Sequence, residues 1–264
     1  MSKSLKTFLE LLLIVAIGTG LWFGIRALNL FPDEVEISLS KENEEKIGDK
    51  MLEFILSSEK QVTNPVLDSA INLITQRLVE GLDTQEYNYK FFVVSNPQIN
   101  AFTSLGGNIV IYTGLIDFAE TPEEVAAVLA HELGHAQLRH VVRKMVRELG
   151  IGVLLSVLGA GDAGVIGQLA NQAVSGSFSR ENEREADKYG IRLLRSCNIH
   201  PHSLSDFFSR LEEEYGDTPD FLSSLSTHPQ TKERVETVEK SYIPSNFQSK
   251  PFDLDWKRVK QNLN

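Results

Sequence analysis

The chain has 264 residues, with 26 lysines and arginines against 36 aspartates and glutamates, a net charge of −10 at pH 7. An acidic surface of that kind repels phosphate backbones, so nucleic acid is not expected as a partner. Cys197 is the only cysteine, so no intrachain disulfide forms and cysteine usage says nothing of the redox compartment.

The first predicted element is apolar. Leu11–Ile25, LLLIVAIGTGLWFGI, carries no charge and is preceded by Lys3 and Lys6. Extended to Phe8 and Leu30, it reaches the ~20 residues that a bilayer span needs, with Glu10 and Arg26 near its ends. Trp22 suits a membrane interface, and two lysines before the run against one arginine after it favour a cytoplasmic N-terminus. The expectation is an uncleaved single-pass membrane anchor over residues 1–30, with residues 31–264 on an extracytoplasmic, periplasm-like side. The alternative is a cleaved signal peptide and secretion to the periplasm. No clean A-x-A site follows the run, and no cysteine near it offers a lipid anchor. About 235 residues then remain, enough for one well-packed domain.

The elements that follow are mostly helices. Lys41–Ser58 is amphipathic, with Ile47, Met51, Phe54 and Ile55 on one side. A second helix, Val66–Glu80, follows Pro65. Tyr89–Val94 and Asn108–Thr113 read as strands. Thr121-Pro122-Glu123-Glu124 is a helix start, with Thr121 as N-cap, Pro122 in the first position and Glu124 completing a capping box. The run Val125–Ala130 continues it as a core helix. Gly150–Gly176 is apolar and rich in glycine. It reads either as a buried helical hairpin broken at Gly159–Gly164 or as a lid or membrane-touching element. Asp162 interrupts it and argues against a second membrane span. Ser179–Gly190 reads as another helix, Leu204–Tyr215 and Lys232–Tyr242 as later ones. The tail Ile243–Asn264 is polar, punctuated by proline and expected to be peripheral.

The core helix carries the chemistry. His131-Glu132-Leu133-Gly134-His135 spells HExxH. Residues four apart on a helix share a face, about one turn apart. Two imidazoles at that spacing can bind one Zn²⁺, and Glu132 lies close enough to deprotonate a zinc-bound water. A solvated surface pair is the alternative, but histidines and a glutamate in so apolar a helix need a reason, which a metal supplies.

A catalytic zinc usually has three protein ligands plus water. A metzincin would place glycine at 138 and histidine at 141; here stand Leu138 and Val141, so that class fails. His140 is one residue out of register and reads as a surface histidine or one that supports a ligand. The best source of a third ligand is Ser179–Gly190, where Glu183 and Asp187 share one face. Ala186 and Gly190 form a small-residue face that would let this helix approach the first near Gly134. Spacing alone does not separate Glu183 from Glu181 or Glu185.

HELGH, a downstream NExEADxxG and a late HP together resemble the membrane-linked zinc metallopeptidases that include the CAAX prenyl proteases, HtpX, and the Oma-type and envelope quality-control proteases. Asn100-Ala101-Phe102, Gly106-Gly107 and the strand after them are similar too. The resemblance runs from about Asn100 to Arg234 and is nearest to compact single-domain members. It implies an α+β, mostly helical, zincin-like (gluzincin) peptidase domain with a small antiparallel sheet beside the active-site helix. It also implies one zinc per chain on His131, His135 and Glu183, with Glu132 as general base and Asp187 as a supporting acid or proton donor. Thr227-His228-Pro229 would bring His228 to the site, as transition-state stabiliser or as an occluding extra ligand.

The expected function is zinc-dependent endopeptidase cleavage of exported or membrane-associated, misfolded proteins. Substrate is expected as an added strand along an edge in the Asn100–Tyr112 region. Two other classes stay open. One is a chaperone-like envelope protein with a latent site, marked by His228 in the water position. The other is a metal-site assembly factor, against which an intact Glu132 argues.

Overall fold

Gly106 and Gly107 fix the centre of the domain. In the computed structural model, which describes residues 19–20, 39–159, 161–215, 228 and 232–263, both glycines take positive φ, 71° and 76°. They reverse the chain between β2 (Ala101–Thr103) and β3 (Asn108–Tyr112), which pair antiparallel with Phe102 opposite Val110. A side chain at Gly106 would run into the backbone of Glu45, so the helix α1 (Lys41–Ser58) presses directly on this turn. β1 (Lys90–Val94) lies on the other side of β3 and runs parallel to it, giving the order β1-β3-β2. The sheet is therefore mixed, not wholly antiparallel as expected. The tight turn dictates only the β2–β3 pair, while the chain leaving β1 crosses to the far edge before pairing.

The chain divides into two compact units, Met1–Ser38 and Leu39–Asn264. The expected anchor at 1–30 falls outside the described residues, apart from 19–20. Among the described residues no helix is long and apolar enough to cross a membrane.

The second unit is helices around the sheet. α1 and α2 (Pro65–Glu80) are capped by Ser40 and Asn64, whose side chains accept from Asn43 N and Val66 N. A short α3 (Thr113–Phe118) leads to α4 (Pro122–Gln137), capped by Thr121 as predicted. Glu124 accepts from Glu120 N, one residue before the cap, and from both terminal nitrogens of Arg210. Every residue of α4 from Glu124 to Ala136 is buried, so this helix is the core. It lies between β2, α2, α8 (Arg180–Ser196) and α9 (His202–Tyr215). α8 comes closest. A side chain at Gly134 would sit 2.9 Å from the Ala186 carbonyl, and one at Gly190 would sit 3.2 Å from His131 N.

After α5 (His140–Leu149), the glycine-rich stretch is helical in two pieces, α6 (Ile151–Ser156) and α7 (Ala163–Ser175). It breaks between Val157 and Asp162, and α7 packs on α1 where Gly167 meets Phe54, and against β2. The break falls where the sequence suggested, but the stretch is buried on one side only: Leu154, Val157, Gly167, Leu169, Ala170 and Ala173 are covered, and the described residues between them are half-buried or exposed. α10 (Lys232–Glu239) packs on α8 and α9. The tail differs from expectation. Phe252, Trp256, Val259 and Leu263 are buried in the main core, with α11 (Trp256–Lys260) against α2. Trp256 Nε1 donates to the Ala119 carbonyl at 2.9 Å. Four apolar residues spaced along a polar tail suffice to dock it.

Candidate metal centre

The α4–α8 contact brings the predicted site residues together. His131 Nε2 and His135 Nε2 are 3.1 Å apart. Glu183 Oε1, from α8, is 3.3 Å from His135 Nε2. His228 Nδ1 is 3.2 Å from His131 Nε2 and 3.0 Å from Glu183 Oε1. All four residues are buried and offer donor atoms within 4.8 Å of one another. Ligand atoms around a tetrahedral ion held at about 2.0–2.1 Å stand about 3.3 Å apart. The donor set fits such an ion. It offers a fourth donor, His228 Nδ1, beside the three that a catalytic site uses.

Of the three candidates left open on the second helix, Glu183 alone reaches the cluster. Glu181 is paired with Arg184 at the surface, and Glu185 Oε2 lies 3.0 Å from His140 Nε2.

Each motif histidine is held from behind. His131 Nδ1 lies 2.9 Å from Asp187 Oδ1. Asp187 in turn accepts from Arg234 Nε and Nη2, both at 2.7 Å, and Arg234 Nη1 reaches Glu183 Oε2 at 2.7 Å. His135 Nδ1 meets His140 Nδ1 at 3.0 Å, and His140 goes on to Glu185. The tautomers that leave both Nε2 atoms free to ligate have Nδ1–H of His131 donating to Asp187 and Nδ1–H of His135 donating to His140. Phe178 stacks on the His135 ring, centroids 4.0 Å apart.

His140 can reach back because α4 ends in a sharp corner. Arg139 takes φ 54°, ψ 33°, a left-handed conformation costly for a non-glycine residue. Buried Glu44 holds it there, accepting from Arg139 Nη2 at 2.7 Å and from Tyr87 Oη at 2.8 Å.

Charge is arranged tightly around Glu132. Its Oε1 lies 3.2 Å from His228 Nε2, within ion-pair range, and its Oε2 accepts from Thr103 Oγ1 at 3.0 Å. Burial pushes Glu132 up, but the charge of His228 and its own ligand neighbours outweigh it and hold it at about 2. Burial opposes charge on His228 as well, yet Glu132 and Glu183 raise it to about 10. Glu183 and Asp187 sit well below the usual carboxylate range. For each, burial is outweighed: by the charge of His228 and hydrogen bonds from His135 and His228 for Glu183, and by Arg234 with a hydrogen bond from His131 for Asp187. Burial drives His135 down to about 3 and His140 to about 4, against Glu183 and Glu185 respectively.

Sequence reasoning missed Arg234 and Thr103, and left His140 undecided. The signal for His140 was its place five residues after His135, where a helix break brings the ring round. For Arg234 no periodic signal existed; it is a basic residue in a polar helix far along the chain.

A buried helix bearing HExxH, with a third acidic donor from a second helix packed on it, defines a zincin-like metallopeptidase of the gluzincin arrangement. Residues 65–242 match peptidase family M48, and the chain belongs to that family. It is 33% identical over 226 residues to the beta-barrel assembly-enhancing protease of Yersinia pestis, covering 79% of this chain and 46% of that protein. It is 33% identical over 177 residues to metalloprotease LoiP of Escherichia coli (strain K12), covering 64% of this chain and 68% of the relative. The mitochondrial metalloendopeptidase OMA1 of Schizosaccharomyces pombe is 27% identical over 173 residues, covering 64% of this chain and 51% of OMA1. The chain thus spans about half the length of several curated relatives it matches.

Proposed function

We propose that this chain is a zinc-dependent endopeptidase with His131, His135 and Glu183 as its ligands and His228 as a latch that closes the site at rest. The observation that carries this is the convergence of four buried donors within 4.8 Å of one another, with Glu132 beside them but outside the set. The names of the relatives point to proteins of a membrane-bounded envelope as the setting. Misfolded or unassembled exported proteins are the substrate class, and attachment through the N-terminal apolar run places the domain near them.

Zinc held by His131, His135 and Glu183 would supply Lewis-acid polarisation of the scissile carbonyl and would lower the pKa of a bound water toward 7. The residues do the rest. Glu132 takes the proton of the attacking water and passes it to the leaving amine. Asp187 fixes the tautomer of His131, and Arg234 fixes Asp187. The peptide aligns along β2, the sheet edge next to α4. Because α7 packs against that edge and His228 fills the fourth position, substrate entry requires both to give way.

The test is cleavage of an unfolded protein by the zinc-loaded chain beside Glu132→Gln, which is nearly isosteric. The variant is expected to keep its zinc and lose turnover by at least about 10³-fold, the scale of losing the catalytic base. Comparable turnover by both would remove the mechanism. The closed donor set also favours a second reading, a chaperone-like envelope protein with a latent site. His228→Ala separates the two: a latch predicts faster cleavage, whereas the chaperone-like reading predicts none.

A further inference from the structure

Thr103 is the last residue of β2, the edge strand along which substrate is placed, and it is buried. Its hydroxyl lies 2.8 Å from the main-chain carbonyl of Glu132 and 3.0 Å from Oε2 of the same residue. A threonine hydroxyl has one proton to donate. The ionised carboxylate is the stronger acceptor of the two. Among the described residues, Thr103 gives the Glu132 carboxylate its aligned hydrogen bond, while His228 Nε2 is in ion-pair range of the other oxygen.

We infer that Thr103 is a positioning residue for the general base, which holds the Glu132 carboxylate in its working rotamer once His228 has withdrawn. This rests on the peptidase and latch reading above. When His228 leaves, Oε1 loses its cationic neighbour and turns to the attacking water. Among the described residues, the hydrogen bond that then fixes the carboxylate from the protein side is the one at Oε2. A carboxylate with a free rotamer would spend less time aligned with the water, so the effect belongs on turnover rather than binding. The register places the device well. Thr103 shares a strand face with Ala101, which packs in the core with α4, so any peptide that docks on β2 settles the strand that carries the donor.

The experiment compares Thr103→Val, which keeps the shape and removes the donor, with Thr103→Ser, which keeps the donor. Both are made in the full chain, loaded with zinc and assayed on an unfolded protein. The expected result for Thr103→Val is a fall in kcat of about tenfold or more, the scale of a hydrogen bond to a charged group. KM and zinc content should be unchanged, and Thr103→Ser should lie within about threefold of the parent. Equal kcat in all three chains overturns the inference. So does an equal loss in Val and Ser variants, which would make the site one of packing. A double-mutant cycle in thermal unfolding, Thr103→Val with Glu132→Ala on the metal-free chain, reads the contact without any catalysis. Thr103→Val should cost less melting temperature in the Glu132→Ala background; strictly additive losses also overturn it. If the parent chain shows no zinc-dependent cleavage, the peptidase reading has failed, and the cycle alone decides whether Thr103 holds Glu132.

Discussion

The two histidines of the motif sit one turn apart on the same helix and are held by opposite chemistry. Behind His131 stands a chain of full charges: Asp187, Arg234 and Glu183, all buried and joined by contacts of 2.7 Å. Behind His135 stand a neutral imidazole and an aromatic face, His140 and Phe178; the charges on this side lie one step further out, Glu185 half-exposed beyond His140 and Lys144 over the Phe178 ring. Buried ion pairs carry a large desolvation penalty and hold together only while every partner is present. Neutral hydrogen bonds carry less of both, penalty and reward. The His131 side is therefore an all-or-nothing anchor shared by fold and site, and the His135 side orients a ligand without supporting the fold.

The largest effect should come from Arg234→Met. It leaves Asp187 and Glu183 as buried carboxylates without their guanidinium, the situation that typically costs about 3–5 kcal/mol. Denaturant unfolding of the metal-free chain checks this. A loss below about 1 kcal/mol would mean that the anchor is no stronger than a surface pair, and the contrast would collapse.

His140→Phe should behave differently. The ring volume is kept, the acceptor for His135 Nδ1–H is lost, and zinc affinity should fall about 10–100-fold, the usual cost of losing such a support. Unfolding stability of the metal-free chain should change far less than for Arg234→Met. Competition with a chelator gives the first number and denaturant unfolding the second. If the two variants shift both quantities alike, the two sides of the site are not distinct.

The charged side also has a pH signature. His228 is raised to about 10 in the metal-free chain by Glu132 and Glu183, so at neutral pH it is an imidazolium between two carboxylates. A raised pKa contributes stability that is full below the unfolded value, 6.5, and is lost as pH rises through about 10. Zinc must displace that proton, whether His228 ligates the ion or swings away. Zinc affinity should therefore rise with pH by about tenfold per unit across that window, on account of His228 alone. Calorimetry in buffers of different ionisation enthalpy should show one fewer proton released per zinc in His228→Ala.

These contrasts mark where the sequence was readable. The HExxH helix, its Thr121 cap and the Glu183–Asp187 face were legible because short-range periodicity and capping encode them. So was the close approach at Gly134 and Gly190, since small residues on facing sides leave little else to explain them. Arg234 was not legible: its partners lie on another helix, and nothing local to Lys232–Glu239 marks one basic residue as buried. Thr103 lies outside the two strands read from the sequence, and its meaning depends on β2 lying against α4. The parallel β1–β3 pair was lost for the same reason, being long-range. The tail is the exception. Trp256, Val259 and Leu263 follow helical spacing, a signal outweighed by the polar residues around them.

The smallest expected effect is that of Glu185→Gln. Glu185 ends the His135–His140 line with a side chain 42% exposed, so solvent screens its charge. Gln keeps an acceptor oxygen for His140 Nε2–H, and the tautomer that orients His135 can persist. Zinc affinity should fall by less than about fivefold, consistent with the at most ~1 kcal/mol of an exposed pair. Glu185→Lys removes the acceptor altogether and should approach His140→Phe. If Glu185→Gln already matches His140→Phe, the charge at the end of the line is what holds His135, and the neutral side of the site is electrostatic after all.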